Sequence, residues 1–112
     1  MVNPAESESK AITIAIIGDV HDQWEAADNQ ALEHLPIDLV LFVGDFGNES
    51  VWVVEAIAQL NKPKAAIMGN HDAWYSASDW GRKQSPYDHN LEDRVQQQLD
   101  LLGNAHVGYG YL

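Results

Sequence analysis

At 112 residues and 12.4 kDa the chain has room for one small domain, since domains usually run to about 100 to 150 residues. With 46% of its residues hydrophobic and 21% charged, it has the composition of a globular protein, which excludes a disordered or fibrous chain. Seventeen acidic residues against six basic ones give a formal charge of -11, which repels nucleic-acid backbones and anionic membranes; a phosphate ligand would need a bound divalent cation to supply positive charge.

Residues 1–10 are polar, carry Glu6 and Glu8, and have neither the apolar segment of a secretory signal nor the Arg-rich character of a transit peptide, so they read as a disordered leader. Residues 11–17 are β-branched and almost continuously apolar, the pattern of a strand buried on both faces, and stop at Gly18-Asp19. From Asp22 to Leu35 the apolar positions Trp24, Ala27, Ala31 and Leu35 recur at helical spacing, and Pro36 ends that helix. Residues 37–43 repeat the buried-strand pattern and the Gly-Asp ending, at Gly44-Asp45. Asn48 and Glu49 then open a second helix that runs to about Asn61. A third apolar run, residues 64–68, ends at Gly69-Asn70. Residues 73–90 are aromatic and polar without periodicity, which predicts a long surface loop beside the strand ends. Residues 91–102 carry a helical stripe of Leu91, Val95, Leu99 and Leu102, with Gly103 placed to cap it, and residues 106–112 begin to look like a fourth strand. Strands alternating with helices predict an α/β fold, a parallel-rich βαβαβ sheet with right-handed crossovers.

In open α/β sheets ligands bind outside the carboxyl ends of the strands, and here those ends carry Asp19-Val20-His21, Asp45 with Asn48, and Asn70-His71-Asp72. Asp19 to Asp45 is 26 positions and Asp45 to Asn70 is 25, room for one crossover each time, so the spacing brings the three clusters together. The chain has no Cys, which removes disulfides, thiolate zinc sites and cysteine nucleophiles, is compatible with a reducing compartment, and leaves nitrogen and oxygen ligands. Carboxylate, imidazole and amide oxygen suit Mn, Fe, Zn or Mg, and a carboxylate between two ions can bridge them.

These three blocks resemble the calcineurin-like metallophosphoesterases, whose pattern is Asp-x-His, then Gly-Asp-x-x-Asp/Asn, then Gly-Asn-His-Asp/Glu. The wording around Gly44-Asp45-Phe46-Gly47-Asn48-Glu49, Asn70-His71-Asp72-Ala73-Trp74-Tyr75 and His106-Val107-Gly108-Tyr109-Gly110 is similar to the branch found in cyanobacteria and chloroplasts. The resemblance implies the first half of an αββα sandwich and two divalent metal ions, with Asp19 and His21 holding the first, Asp45 bridging, Asn70 holding the second, and His71, oriented by Asn48, facing the phosphate of an ester substrate. Two such ions about 3.5 to 4 Å apart would give a shared hydroxide near neutral pH for attack on a phosphomonoester or phosphodiester, with His71 donating to the leaving oxygen. Where relatives have Asp, Asn48 would hold the ring without the charge that favours imidazolium. Asp72 joins this catalytic group as a neighbour of His71, and, like Asp22, can equally support the ligands or cap a turn. The family's later Gly-His-x-His block is absent, and neither His89 nor His106 fits it. The chain therefore reads, over residues 11–112, as the amino-terminal part of a longer phosphoesterase domain.

Several residues have plainer readings. Asp19 and Asp45 taken singly are helix N-caps, His34 is a partner for its helix dipole, and Trp74, Tyr75 and Trp80 either line a substrate cleft or cover the sheet. A rival for the whole chain is a catalytically incomplete metal-binding or partner-docking module. A receiver-type phosphoacceptor domain would leave His21 and Asn70-His71 unexplained and lacks a Lys beyond Lys83. No apolar run approaches the roughly 20 residues of a membrane span, so a cytoplasmic protein is expected, with self-association through an exposed sheet edge.

Overall fold

The computed structural model describes residues 11–109. The expected leader, residues 1–10, and residues 110–112 of the expected last strand lie outside the described residues. Four strands, β1 (Ile14–Ile17), β2 (Leu39–Phe42), β3 (Lys64–Met68) and β4 (His106–Tyr109), form one sheet in the order β1-β2-β3-β4. Every neighbouring pair is parallel, with Ile17 opposite Phe42 and Phe42 opposite Ala66; a bulge displaces Val107 between the Ala66–His106 and Ile67–Gly108 pairs. The connections are α1 (Ala26–His34), α2 (Val51–Ala58), a 3-10 turn at His71–Ala73, the short α3 (Asp79–Gln84), and α4 (Arg94–Leu102).

The α/β alternation predicted for this chain is therefore what it adopts, with all four strands parallel. Strands added in sequence order by right-handed crossovers place their helices on the same face, and the core follows that rule. Val40, Phe42, Ala66 and Met68 meet Val53, Val54 and Ile57 of α2 and Leu102 of α4, all at most 5% exposed. The opposite face lies open, with Ile14 at 47%, Ile16 at 69% and Val107 at 65% exposure. That corrects the reading of residues 11–17 as a strand buried on both sides: β1 is an edge strand with helices on one side only.

Helix boundaries shift for identifiable reasons. The first helix starts at Ala26 rather than Asp22, because Glu25 N–H donates to Asp28 Oδ2 at 2.7 Å and makes Glu25 the cap, while Trp24 folds under the helix with its indole N–H on Asn29 Oδ1 at 2.9 Å. Asn48 and Glu49, expected to begin the second helix, precede it and serve the site instead. The supposed structureless loop contains α3, capped by Ser78 Oγ accepting from Gly81 N–H at 2.9 Å. Asp93 caps α4 by accepting from Gln96 N–H, leaving Leu91 before the helix and 82% exposed. Its place on the buried side is taken by Gln98, whose amide donates to Asp72 C=O at 2.9 Å and Arg94 C=O at 3.0 Å.

Candidate metal centre

The loops after β1 and β2 are built from residues that tolerate an unusual backbone. Asp19, His21, Asp22, Asp45 and Glu49 all have positive φ, between 44° and 67°, and all lie at these two strand ends. Left-handed backbone costs a non-glycine residue of order 1 to 3 kcal/mol and persists where surrounding bonds over-determine it. Those bonds are present: His21 N–H donates to Asp45 C=O at 3.1 Å, Asp22 N–H to Phe46 C=O at 2.7 Å, and Ser50 Oγ–H to the Asp22 carboxylate. Gly44, at φ 85°, and Gly69 let β2 and β3 converge, since a Cβ on Gly44 would strike the Gly69 backbone and one on Gly69 would strike Asp45.

The result is a cluster at the carboxyl edge of the sheet. Ligand atoms of Asp19, His21 and Asp45 all lie within 4.8 Å of one another, and His21 Nε2 is 3.5 Å from Asp19 Oδ1. Asp19 and His21 face solvent, and Asp45 is half-buried. Two carboxylates and an imidazole converging with solvent access are a donor set that fits a divalent transition metal or Mg, so the residues present match the ions expected of them.

His71 stands beside this cluster. Its ring meets that of His21 edge-on at 5.1 Å, its Nδ1 is 2.7 Å from Asn48 Oδ1, and its own N–H donates to Asp45 Oδ1 at 3.0 Å. Its other face lies flat on Trp74, with ring centroids 4.6 Å apart and planes 3° from parallel. Asn48 and His71 are thus brought together as the motif implied. Asn70 is exposed at the start of the 3-10 turn, directly after the glycine that abuts Asp45. Asp72 sits differently. Its carboxylate is fully buried and accepts from Asp45, Phe46 and Gly69 N–H groups at 2.7 to 2.8 Å, so it acts on the centre through the backbone of both strand ends. Burial holds the Asp72 carboxyl above the usual carboxylate range despite those three donors, with the nearby Asp45 charge adding to the rise.

The residue that sequence reasoning missed is Glu49, 1% exposed. One of its carboxylate oxygens accepts from Tyr75 and Ser76 N–H, each at 2.7 Å, and the other accepts from the Tyr87 hydroxyl, while its own N–H donates to His71 C=O at 3.0 Å. It clamps the aromatic loop to the loop that carries Asp45. A sequence offers no signal for this beyond an acid within a turn. Tyr87 in turn has His89 at 4.3 Å, tilted by 36°, and the Arg94 guanidinium 4.1 Å from its ring centroid. Burial, then the Glu49 hydrogen bond, pushes the Tyr87 hydroxyl up to about 12. His89 therefore packs on Tyr87, and His106 opens β4.

Three ends of a parallel sheet that gather carboxylate and imidazole donors around an oriented histidine define an α/β domain with a candidate metal-binding centre. The family model for calcineurin-like phosphoesterases matches residues 12–110, and the chain belongs to that family. No curated protein and no solved structure matches the chain. One helical layer on one face of one sheet is half of the αββα arrangement implied by the resemblance.

Proposed function

We propose that the protein is a metal-dependent phosphoesterase that hydrolyses a phosphomonoester or phosphodiester at the carboxyl edge of its sheet, with Asp19, His21 and Asp45 holding one divalent ion and Asp45 with Asn70 contributing to a second. The observation that carries this reading is the convergence of Asp19, His21 and Asp45 within 4.8 Å beside the His71 ring, in a chain of this family. When bound, divalent cations such as Mn, Fe, Zn or Mg offset the charge of phosphoryl oxygens and lower the pKa of water.

The chain's own residues do the rest. Asn48 Oδ1 at 2.7 Å keeps the proton on His71 Nδ1, which leaves Nε2 as the atom that gives a proton to the leaving oxygen when the ring carries both. Trp74 stacked beneath the ring and Asp45 bonded to its backbone limit its movement, as proton transfer in one geometry requires. Asp72 holds the Asp45 and Gly69 backbones that set the strand-end spacing. With a formal charge of -11 the protein repels polyanions, so the substrate is a small ester rather than a nucleic acid or a membrane surface. Among the described residues no helix is long and apolar enough to cross a membrane, and with the lack of Cys this supports a cytoplasmic location.

The test is hydrolysis of p-nitrophenyl phosphate and its bis-ester with added Mn by the wild type, His71→Ala and Asp45→Asn. Mn-dependent turnover that falls at least about 100-fold in both variants is the expected result. Turnover unaffected by Asp45→Asn would refute it.

A further inference from the structure

We propose that Glu49 is a positioning residue for His71: by gripping the residues that follow Trp74 it keeps the indole flat against the His71 ring, and so fixes the direction in which His71 Nε2 gives its proton. The proposal rests on the phosphoesterase reading and adds to that site a residue too deeply buried to touch a substrate or an ion.

Asn48 and Glu49 hold His71 from two sides. Asn48 Oδ1 lies 2.7 Å from His71 Nδ1, and Glu49 N–H donates to His71 C=O at 3.0 Å. The Glu49 side chain then reaches to the far side of Trp74. Its Oε2 accepts from Tyr75 N–H and Ser76 N–H, each at 2.7 Å, the second of them shared with Ala73 C=O at 3.2 Å. Trp74 N–H donates to the same His71 C=O at 3.1 Å, so the residue that stacks on His71 is fastened both before and after its own Cα. A hydrogen bond at Nδ1 fixes one atom of the imidazole. The plane of the ring, and with it the line along which Nε2 points, is set by the indole face 4.6 Å away and 3° from parallel. Glu49 also keeps a left-handed backbone, at φ 53°, while only 1% exposed, a combination that persists where its surroundings over-determine it. Its two oxygens divide the work: Oε2 acts on the Trp74 turn, and Oε1 takes the hydroxyl of Tyr87, whose ring the guanidinium of Arg94 covers at the start of α4. That division lets positioning be separated from stability.

The experiment makes two measurements on the wild type, Glu49→Met, Glu49→Gln, Glu49→Asp and Tyr87→Phe. One is the chemical shift of the His71 ring protons at a fixed pH without added metal, which the Trp74 face displaces upfield; the other is Mn-dependent hydrolysis of p-nitrophenyl phosphate. Glu49→Met keeps the length of the side chain and removes its acceptors. It should lose the upfield displacement and at least about ten-fold in kcat, with KM changed by less than about two-fold. Glu49→Gln still accepts both amides through its carbonyl oxygen, and Tyr87→Phe leaves Oε2 in place, so both should keep the displacement and a kcat within about three-fold of the wild type, whatever stability they lose. If Glu49→Met does not fold, Glu49→Asp decides, since a carboxylate shorter by one methylene withdraws from the amides and the displacement should shrink. His71 shifts unchanged in the deciding variant, or lost there with kcat unchanged, would overturn the proposal. A loss reproduced by Tyr87→Phe would overturn it too, by making the effect one of stability. Because the shifts are read without turnover, an inactive wild type would refute the phosphoesterase reading and leave the hold of Glu49 on the His71 ring separately decided.

Discussion

Asp72 shows how a single carboxylate can set a site without facing it. Both of its oxygens are fully engaged by backbone donors, Oδ1 by Phe46 and Oδ2 by Asp45 and Gly69. An amide in its place must turn an NH2 towards at least one N–H, and a buried donor left without an acceptor costs about 1 to 3 kcal/mol. Asp72→Asn is therefore expected to lower unfolding stability by about 2 to 3 kcal/mol in urea titrations. A change below about 0.5 kcal/mol would show that the strand ends hold together without it. The Asn-His-Asp motif made Asp72 conspicuous as a catalytic candidate, but a sequence does not say which way a side chain turns. Asp19, His21 and Asp45 were legible because their strand-end placement follows from the period of the apolar runs. Glu49 was not, because its partners Tyr75, Ser76 and Tyr87 are 26 to 38 positions away on a segment without periodicity.

Among the elements, the segment between β3 and α4 departs furthest from expectation. Six residues including Gly81 are too few to show a helical period, so α3 is visible only through its cap. What orders the segment is its tether to Glu49, and the tether titrates. Tyr87 keeps its proton to about 12 in the folded protein, against about 10 in an unfolded chain. Between those values the folded state binds more protons than the unfolded one, so stability present below pH 10 falls as the pH rises towards 12. Denaturant midpoints for the wild type should decline across that window more steeply than those of Tyr87→Phe, which has no hydroxyl to titrate. Parallel pH profiles would mean that the hydroxyl is not held as the geometry requires. The strands and α4 were read correctly in kind, since short apolar runs and a stripe ending at Gly103 carry strong local signals. The apolar stripe alone would start α4 at Leu91, three residues before Arg94; Asn90 and Asp93 are equally good caps by type, and it is Asp93 that accepts from Gln96 N–H while Asn90 N–H is turned onto Asp88 Oδ1.

At the scale of the whole molecule the sheet has a covered face and an open one. A continuous apolar run specifies a parallel strand but cannot tell whether helices cover both sides; strand order decides that, and order is not written in any one segment. The two faces should respond differently to the same chemistry. Val40→Thr places a hydroxyl where exposure is 0% and should cost about 1 to 3 kcal/mol, while Ile16→Thr, at 69% exposure, should change stability by less than about 0.5 kcal/mol. Ile16→Thr should also reduce binding of a hydrophobic dye, since it removes apolar surface from the open face. Equal losses from the two substitutions would mean that the face carrying Ile16 is covered.

If the three strand ends assemble a divalent-metal centre around Asp45, the protein binds Mn at equilibrium, which is read as the loss of the free-ion paramagnetic resonance signal. Saturable binding by the wild type, weakened at least about ten-fold in Asp45→Asn and in His21→Ala while Asp28→Asn leaves it unchanged, is the predicted result. Mn binding that is equally strong in all four proteins would assign the ion to diffuse surface charge and rule out a centre built on Asp45.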